Sequence, residues 1–121
     1  NCRDLAAIGA TLANVGENPQ THTEVFDAIC VRDALAAMFT CGMYDYAGEW
    51  AFRVGVPAKS GVAGGIMAVV NRQMGVAVYS PRLDARGNSV RGIKVCADLS
   101  DEFGLHAFDC TNFGSSLLRT L

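Results

Sequence analysis

Residues 41–65 read Cys-Gly-Met-Tyr-Asp-Tyr-Ala-Gly-Glu-Trp-Ala-Phe-Arg-Val-Gly-Val-Pro-Ala-Lys-Ser-Gly-Val-Ala-Gly-Gly. A helix entering this stretch stops at Gly42, because glycine readily occupies the position that ends a helix. Tyr44 is thereby thrown into the following turn, where a hydroxyl can be aimed rather than packed. Gly48 to Phe52 fits one further helical turn. Pro57 cannot continue a helix and extends the residue before it, so residues 54–57 read as a connector. From Ser60 to Val70 the sequence is apolar with a glycine-rich first half. It reads as a strand whose glycines let another backbone or a ligand come close.

Working outward, Asp4 to Asn14 has Leu5, Ile8 and Leu12 on one helical stripe, with Gly16 as a stop. Asn18-Pro19-Gln20-Thr21 is turn-like. A second helix is predicted over Ala28–Cys41, capped by the Asp27 carboxylate and burying Val31, Leu35 and Met38. Downstream, Asn71 to Gly75 reads as a hairpin loop, Val76 to Tyr79 as the return strand, and Pro81 closes it. Asn88 can cap a helix that runs to about Phe103 and ends at Gly104. Val90, Ile93 and Ala97 would share its buried face, with Cys96 beside them. Asp101 and Glu102 near its end mildly oppose the helix dipole. The tail after His106 has no clear periodicity. Two antiparallel strands do not make a stable sheet alone, so strands from elsewhere are expected.

A chain of 121 residues holds one domain and buries roughly two thirds of its unfolded surface. Half of its residues are hydrophobic and the mean hydropathy is +0.22, which is apolar for a small domain. Either the core is dense or some apolar surface belongs against a partner or a missing segment. A net charge of −2 argues against nucleic-acid binding, which needs a basic face. Arg82, Arg86, Arg91 and Lys94, with Asp84 among them, read as a solvated surface ahead of an anion site. The five cysteines are Cys2, Cys30, Cys41, Cys96 and Cys110. Their odd number and the lack of Cys-x-x-Cys argue against a disulfide framework or a zinc cage. Cys30, Cys41 and Cys96 read as small core residues, and a reducing cytoplasm fits best. The run Gly61–Val70 is too short to span a bilayer, and no signal-peptide pattern opens the chain, so no membrane role is expected. The first residue is Asn rather than Met and leads almost at once into a helix, from which we expect a chain cut from something longer.

Several residues have a plain structural reading. His22 and His106 are isolated and suit surface or capping roles. Asp45 and Glu49 sit at helical spacing on what reads as a wet face. Tyr46 suits packing and Lys59 a solvated surface. Gly61–Gly65 lacks the Gly-Lys-Ser order of a phosphate loop. From local sequence alone, Tyr44 would be a partly buried tyrosine and Val62 a core strand residue.

Lys59-Ser60-Gly61, however, is one of three motifs of the serine-reactive penicilloyl enzymes. The motif that carries their nucleophile, Ser-x-x-Lys, is absent. The lysines are Lys59 and Lys94, and Val56 and Arg91 stand three residues before them. Four blocks in order resemble the serine-dependent glutaminases: Ala10–Asn14, Cys41–Asp45 (Cys-Gly-Met-Tyr-Asp), Pro57–Ile66 (Pro-Ala-Lys-Ser-Gly-Val-Ala-Gly-Gly-Ile), and Gly87–Gly92 within Ser80–Gly92. One departure is Asn71, where the family often has Pro; it falls in a hairpin loop and touches nothing catalytic.

The resemblance implies an α+β fold of three αβα layers, part of a β-lactamase/transpeptidase-like architecture. Residues 1–121 would be a single C-terminal portion of the catalytic domain, with the nucleophile-bearing N-terminal portion absent. It implies hydrolysis of L-glutamine to L-glutamate and ammonia through a serine acyl-enzyme, with no cofactor or metal, in a cytoplasmic homo-oligomer. Two of the family's functional positions match this sequence. Tyr44 matches the tyrosine that touches nucleophile and substrate and relays a proton to the leaving ammonia. Val62 matches the residue whose backbone N–H joins the oxyanion hole, where a fixed donor is worth a few kcal/mol of barrier. Gly61, Gly64 and Gly65 would let this strand edge approach substrate, and Lys59 and Ser60 would line the pocket. The fragment alone is expected to be inactive. Two other readings are a penicillin-recognising serine hydrolase relative, against which the Cys-Gly-Met-Tyr-Asp block argues, and a non-catalytic binding or scaffold domain that folds alone.

Overall fold

The computed structural model describes residues 1–109; Cys110 and the tail beyond it lie outside the described residues. Helix α1 (Cys2–Ala13) starts two residues earlier than its apolar stripe suggests. The cause is a capping box: the Asn1 side chain accepts from the Arg3 and Asp4 amides at 2.9 and 3.1 Å, and Asp4 reaches back to the Asn1 amine. Helix α2 (Ala28–Cys41) has the expected bounds, with the Cys30 N–H donating to the Asp27 carboxylate at 2.8 Å. A 3-10 turn over Tyr44–Tyr46 leads into α3 (Ala47–Arg53).

Three strands follow, β1 (Ala58–Ser60), β2 (Gly65–Val70) and β3 (Met74–Tyr79), in an antiparallel sheet ordered β1-β2-β3. The single strand expected over Ser60–Val70 is therefore two, joined by a hairpin. Gly61 N–H donates to Gly65 O and Gly64 N–H to Gly61 O, each at 2.9 Å. Gly64 has φ +101°, a conformation that glycine adopts without penalty and that closes a three-residue hairpin loop. The turn escaped notice because glycine is its only punctuation in an apolar run. It also gives the sheet a third strand from within the chain.

β2 is buried on both faces. Ile66, Ala68 and Val70 join Trp50, Val54, Val56, Cys96, Ala97 and Leu105 in one cluster. Met67 and Val69 join Leu12, Ala13, Val31 and Leu35 in another. Strand side chains alternate, so a strand covered on both sides must be apolar throughout. Helices α1 and α2 thus cover one face of the sheet. On the other lie α3 and α4 (Val90–Phe103), which completes three αβα layers. The buried positions of α4 are Gly92, Cys96, Ala97 and Ser100, whereas Val90 is exposed. An exposed two-pronged ion pair, Arg53 to Asp101 at 3.0 and 2.9 Å, joins α3 to α4 and holds the Asp101 carboxyl below its ordinary value. Among the described residues no helix is long and apolar enough to cross a membrane.

Of the three cysteines read as core, only Cys96 is buried; Cys30 and Cys41 are exposed. Both lie roughly a quarter turn off the Val31–Leu35 stripe, on the uncovered flank of α2. Burial pushes the Cys96 thiol up to about 11 from 9.0. The native state then holds this proton more tightly than the unfolded chain does. Its contribution is fully present below pH 9 and is lost as pH rises toward 11. Stability measured by urea unfolding should fall across that window, and Cys96→Ala should flatten the fall. At neutral pH a thiol reagent should label Cys30 and Cys41 well before Cys96.

Candidate active site

The end of α2 meets the start of β1 at Gly42. A Cβ there would lie 1.7 Å from Ala58 O, so only glycine permits the approach. Ser60 N–H donates to Gly42 O at 3.0 Å and fixes the junction. Met43, the next residue, is fully buried. Its carbonyl accepts from Tyr46 N–H and from Asn88 Nδ2, each at 3.1 Å. The chain then turns outward at Tyr44, whose φ of +54° lies in the left-handed region. A side chain there costs about 1–2 kcal/mol and persists only where the surroundings impose it. Tyr44 is 41% exposed, so its ring stands at the surface as the turn reading requires.

Val62 occupies the β1–β2 hairpin turn and is 69% exposed. This corrects the local expectation of a core strand residue: the turn at Gly64 lifts Val62 out of the sheet. Tyr44 and Val62 come together against a third loop. The position that a Cβ on Gly87 would take lies 3.8 Å from Tyr44 Cε2 and 3.8 Å from Val62 Cγ1. Lys59 is exposed, with its ammonium 4.8 Å from the Tyr44 ring centroid, and it donates to the Ser60 carbonyl. A cation over a tyrosine face is attracted by the ring quadrupole. Ser60 is buried, and its hydroxyl has no partner among the described residues. A serine so enclosed is a poor nucleophile, as the missing lysine three residues on had suggested.

Asn88 is the residue whose role sequence reasoning missed. The cap of α4 is Ser89, whose hydroxyl accepts from Gly92 N–H at 3.0 Å. Asn88 is instead fully buried and spends its amide on the Met43 carbonyl. The sequence Asn88-Ser89 offers two competent caps in a row, and only the contact 45 residues away decides between them. Arg86 bonds Glu49 at 3.1 Å and lies over the Tyr46 ring, and Lys94 pairs with Asp98 at 3.5 Å. Two members of the basic group, Arg86 and Lys94, are therefore engaged in surface ion pairs. His106, read as a surface or capping residue, accepts from Phe108 N–H through Nδ1 and reaches Phe52 O through Nε2, so it ties the segment after α4 to α3. His22 is exposed beside Glu17 at 3.4 Å. Among the described residues no group of three or more His, Cys, Asp or Glu could hold a metal ion.

The model of the glutaminase family matches residues 1–108. The chain belongs to the glutaminase family. A glutaminase from Trichormus variabilis is 62% identical over 110 residues, 91% of this chain and 33% of that protein. One from Corynebacterium glutamicum is 46% identical over 119 residues, 98% of this chain and 29% of that protein. Among solved structures, the probable glutaminase ybaS superposes with a TM-score of 0.86 at 51% identity, covering 89% of this chain and 35% of its own. Mglu in its glutamate form gives 0.86 at 46% identity, covering 90% and 25%. The three-layer fold is thus that of the glutaminases, which is β-lactamase-like. This glutaminase chain spans about a third of the length of the curated relatives it matches.

Proposed function

We propose that this chain is the C-terminal portion of a glutaminase catalytic domain, supplying the tyrosine and the oxyanion strand. The nucleophilic serine is contributed by polypeptide that the chain does not include. The substrate is L-glutamine, and no cofactor enters. The observation that carries this reading is the meeting of Tyr44, Val62 and Gly87 in one corner of a chain whose family is glutaminase. In the acyl-transfer sequence the serine oxygen attacks the side-chain amide carbon, and negative charge develops on the amide oxygen. The Val62 N–H stabilises that charge. Tyr44 relays the proton given up by the serine hydroxyl to the departing nitrogen, which leaves as ammonia. Water then cleaves the glutamyl-serine ester. The same reading carries a homo-oligomeric enzyme in the cytoplasm.

Ammonia release from glutamine tests it. The 121-residue chain is assayed alone and then as one polypeptide with the part of the Trichormus variabilis glutaminase it does not cover. No turnover from the first and turnover from the second are expected. Release by the lone chain, with a single intact mass, or an inert but folded completed enzyme would sink the proposal.

The hairpin offers a selective probe of the oxyanion donor. Val62 is the second residue of the turn closed by the Gly64–Gly61 hydrogen bond, a position that proline favours. Val62→Pro should therefore keep the turn and delete the N–H, and Val62→Ala, which keeps the N–H, is the control for the lost side chain. A fall in kcat of about 10²–10³-fold is expected in the completed enzyme. Unchanged kcat would remove Val62 from the oxyanion site.

A further inference from the structure

The loop over residues 84–88 is built as a rigid unit. The Asp84 carboxylate accepts from Arg86 N–H at 2.8 Å and Asn88 N–H at 3.1 Å. Asp84 N–H donates to Asn88 O at 2.8 Å, and Gly87 N–H to Asp84 O at 3.1 Å. A loop closed this way moves as one body. Its side-chain anchors among the described residues go to the segment that carries Tyr44: Asn88 Nδ2 to Met43 O, Arg86 to Glu49, and Arg86 over the Tyr46 ring. Gly87, between those anchors, stands against the Tyr44 ring and Val62.

From this geometry we infer that Asn88 is a positioning residue for Tyr44: by holding the Met43 carbonyl, it fixes where the tyrosine hydroxyl stands relative to the Val62 amide. This rests on the roles proposed above for Tyr44 and Val62. Two features support it. Tyr44 sits in a left-handed conformation that its own side chain disfavours, so something outside the turn must impose it. And among the described residues the Met43 carbonyl, one peptide before Tyr44, has two donors, of which only Asn88 comes from outside the turn. Without the Asn88 amide, the Met43 carbonyl keeps a single local bond, from Tyr46 N–H. Tyr44 then relaxes toward ordinary backbone angles, and its hydroxyl swings away from the hairpin. Asn88 itself is fully buried and touches no substrate, so it acts only through the turn.

The test is a mutant cycle in the completed enzyme described above. Asn88→Ala should lower kcat about tenfold and leave KM within about twofold, because misplacing a catalytic group by a fraction of an ångström costs rate before binding. In a Tyr44→Phe background the same change should have less than about a twofold effect, since a hydroxyl that is gone cannot be misplaced. Equal losses in both backgrounds would overturn the inference and reduce Asn88 to general stabilisation. If Asn88→Ala does not fold, Arg86→Gln takes its place. Arg86 is exposed, and freeing its two anchors should cost about threefold in kcat, again only when the Tyr44 hydroxyl is present. An effect that persists in Tyr44→Phe would overturn it equally. Full activity in Tyr44→Phe alone is a different outcome: it defeats the catalytic reading of Tyr44, and the positioning role with it.

Discussion

Tyr44→Phe in the completed glutaminase is expected to lower kcat by about 10²–10⁴-fold, the range for loss of a positioned proton donor. The substitution is clean because the contacts of Tyr44 are made by its ring. The Lys59 ammonium faces the ring centroid and Gly87 faces ring carbons, so phenylalanine keeps both. The left-handed backbone costs phenylalanine no more than tyrosine. Loss of rate at unchanged Tm then reports the hydroxyl alone. Tyr46→Phe is the matched control: its half-buried ring lies under Arg86 and packs against the core cluster, contacts that phenylalanine keeps, so kcat should stay within about twofold. Steady-state kinetics by ammonia release, with thermal unfolding of each variant, decides it. Full kcat in Tyr44→Phe would assign the proton to another group.

The largest loss of stability is expected from Trp50→Ala. Trp50 is fully buried in the cluster that α3, α4 and one face of the sheet share. Its indole N–H donates to Val56 O at 2.7 Å. Truncation removes the largest fully buried side chain and strands a buried carbonyl. The expected cost is about 3–5 kcal/mol, a large share of the 5–15 kcal/mol that holds a typical domain together. Urea unfolding followed by far-ultraviolet circular dichroism measures it without a tryptophan signal. Trp50→Phe should recover most of the packed volume while leaving Val56 O unpaired, at a cost of about 1–3 kcal/mol. A Trp50→Ala midpoint within error of the parent would mean that the cluster is not what stabilises the chain.

How much of this was legible beforehand depends on where the deciding interactions lie. Helix α2 has the bounds read from Asp27 and Gly42 because both signals act within one turn of the chain. The placement of Tyr44 was legible for the same reason: Gly42 stops the helix two residues earlier. The split of residues 58–70 into two strands was not, because it turns on the backbone angle of a single glycine inside an unbroken apolar run. The capping choice between Asn88 and Ser89 is settled by a carbonyl 45 residues away. Cys30 and Cys41 were misread because apolar neighbours in sequence do not fix which side of a helix is covered. Tyr44 and Val62 could be named in advance only through family resemblance, since a backbone amide leaves no mark in composition or spacing.

The distance between Met43 and its anchor also sets an order of events in the life of the chain. The turn bearing Tyr44 leaves the ribosome well before Asn88 does. At synthesis rates of about 5–20 residues per second, the 45-residue gap is a delay on the order of several seconds. During that interval α2 and the first hairpin can form from local contacts, while the Tyr44 turn lacks the bond that fixes its backbone. Closing a loop of this length is slow relative to local turns, so the corner is completed only when the segment leading into α4 docks. A nascent chain arrested before that point would carry every residue of the Cys-Gly-Met-Tyr-Asp and Lys-Ser-Gly motifs and still lack the arrangement they are there to make.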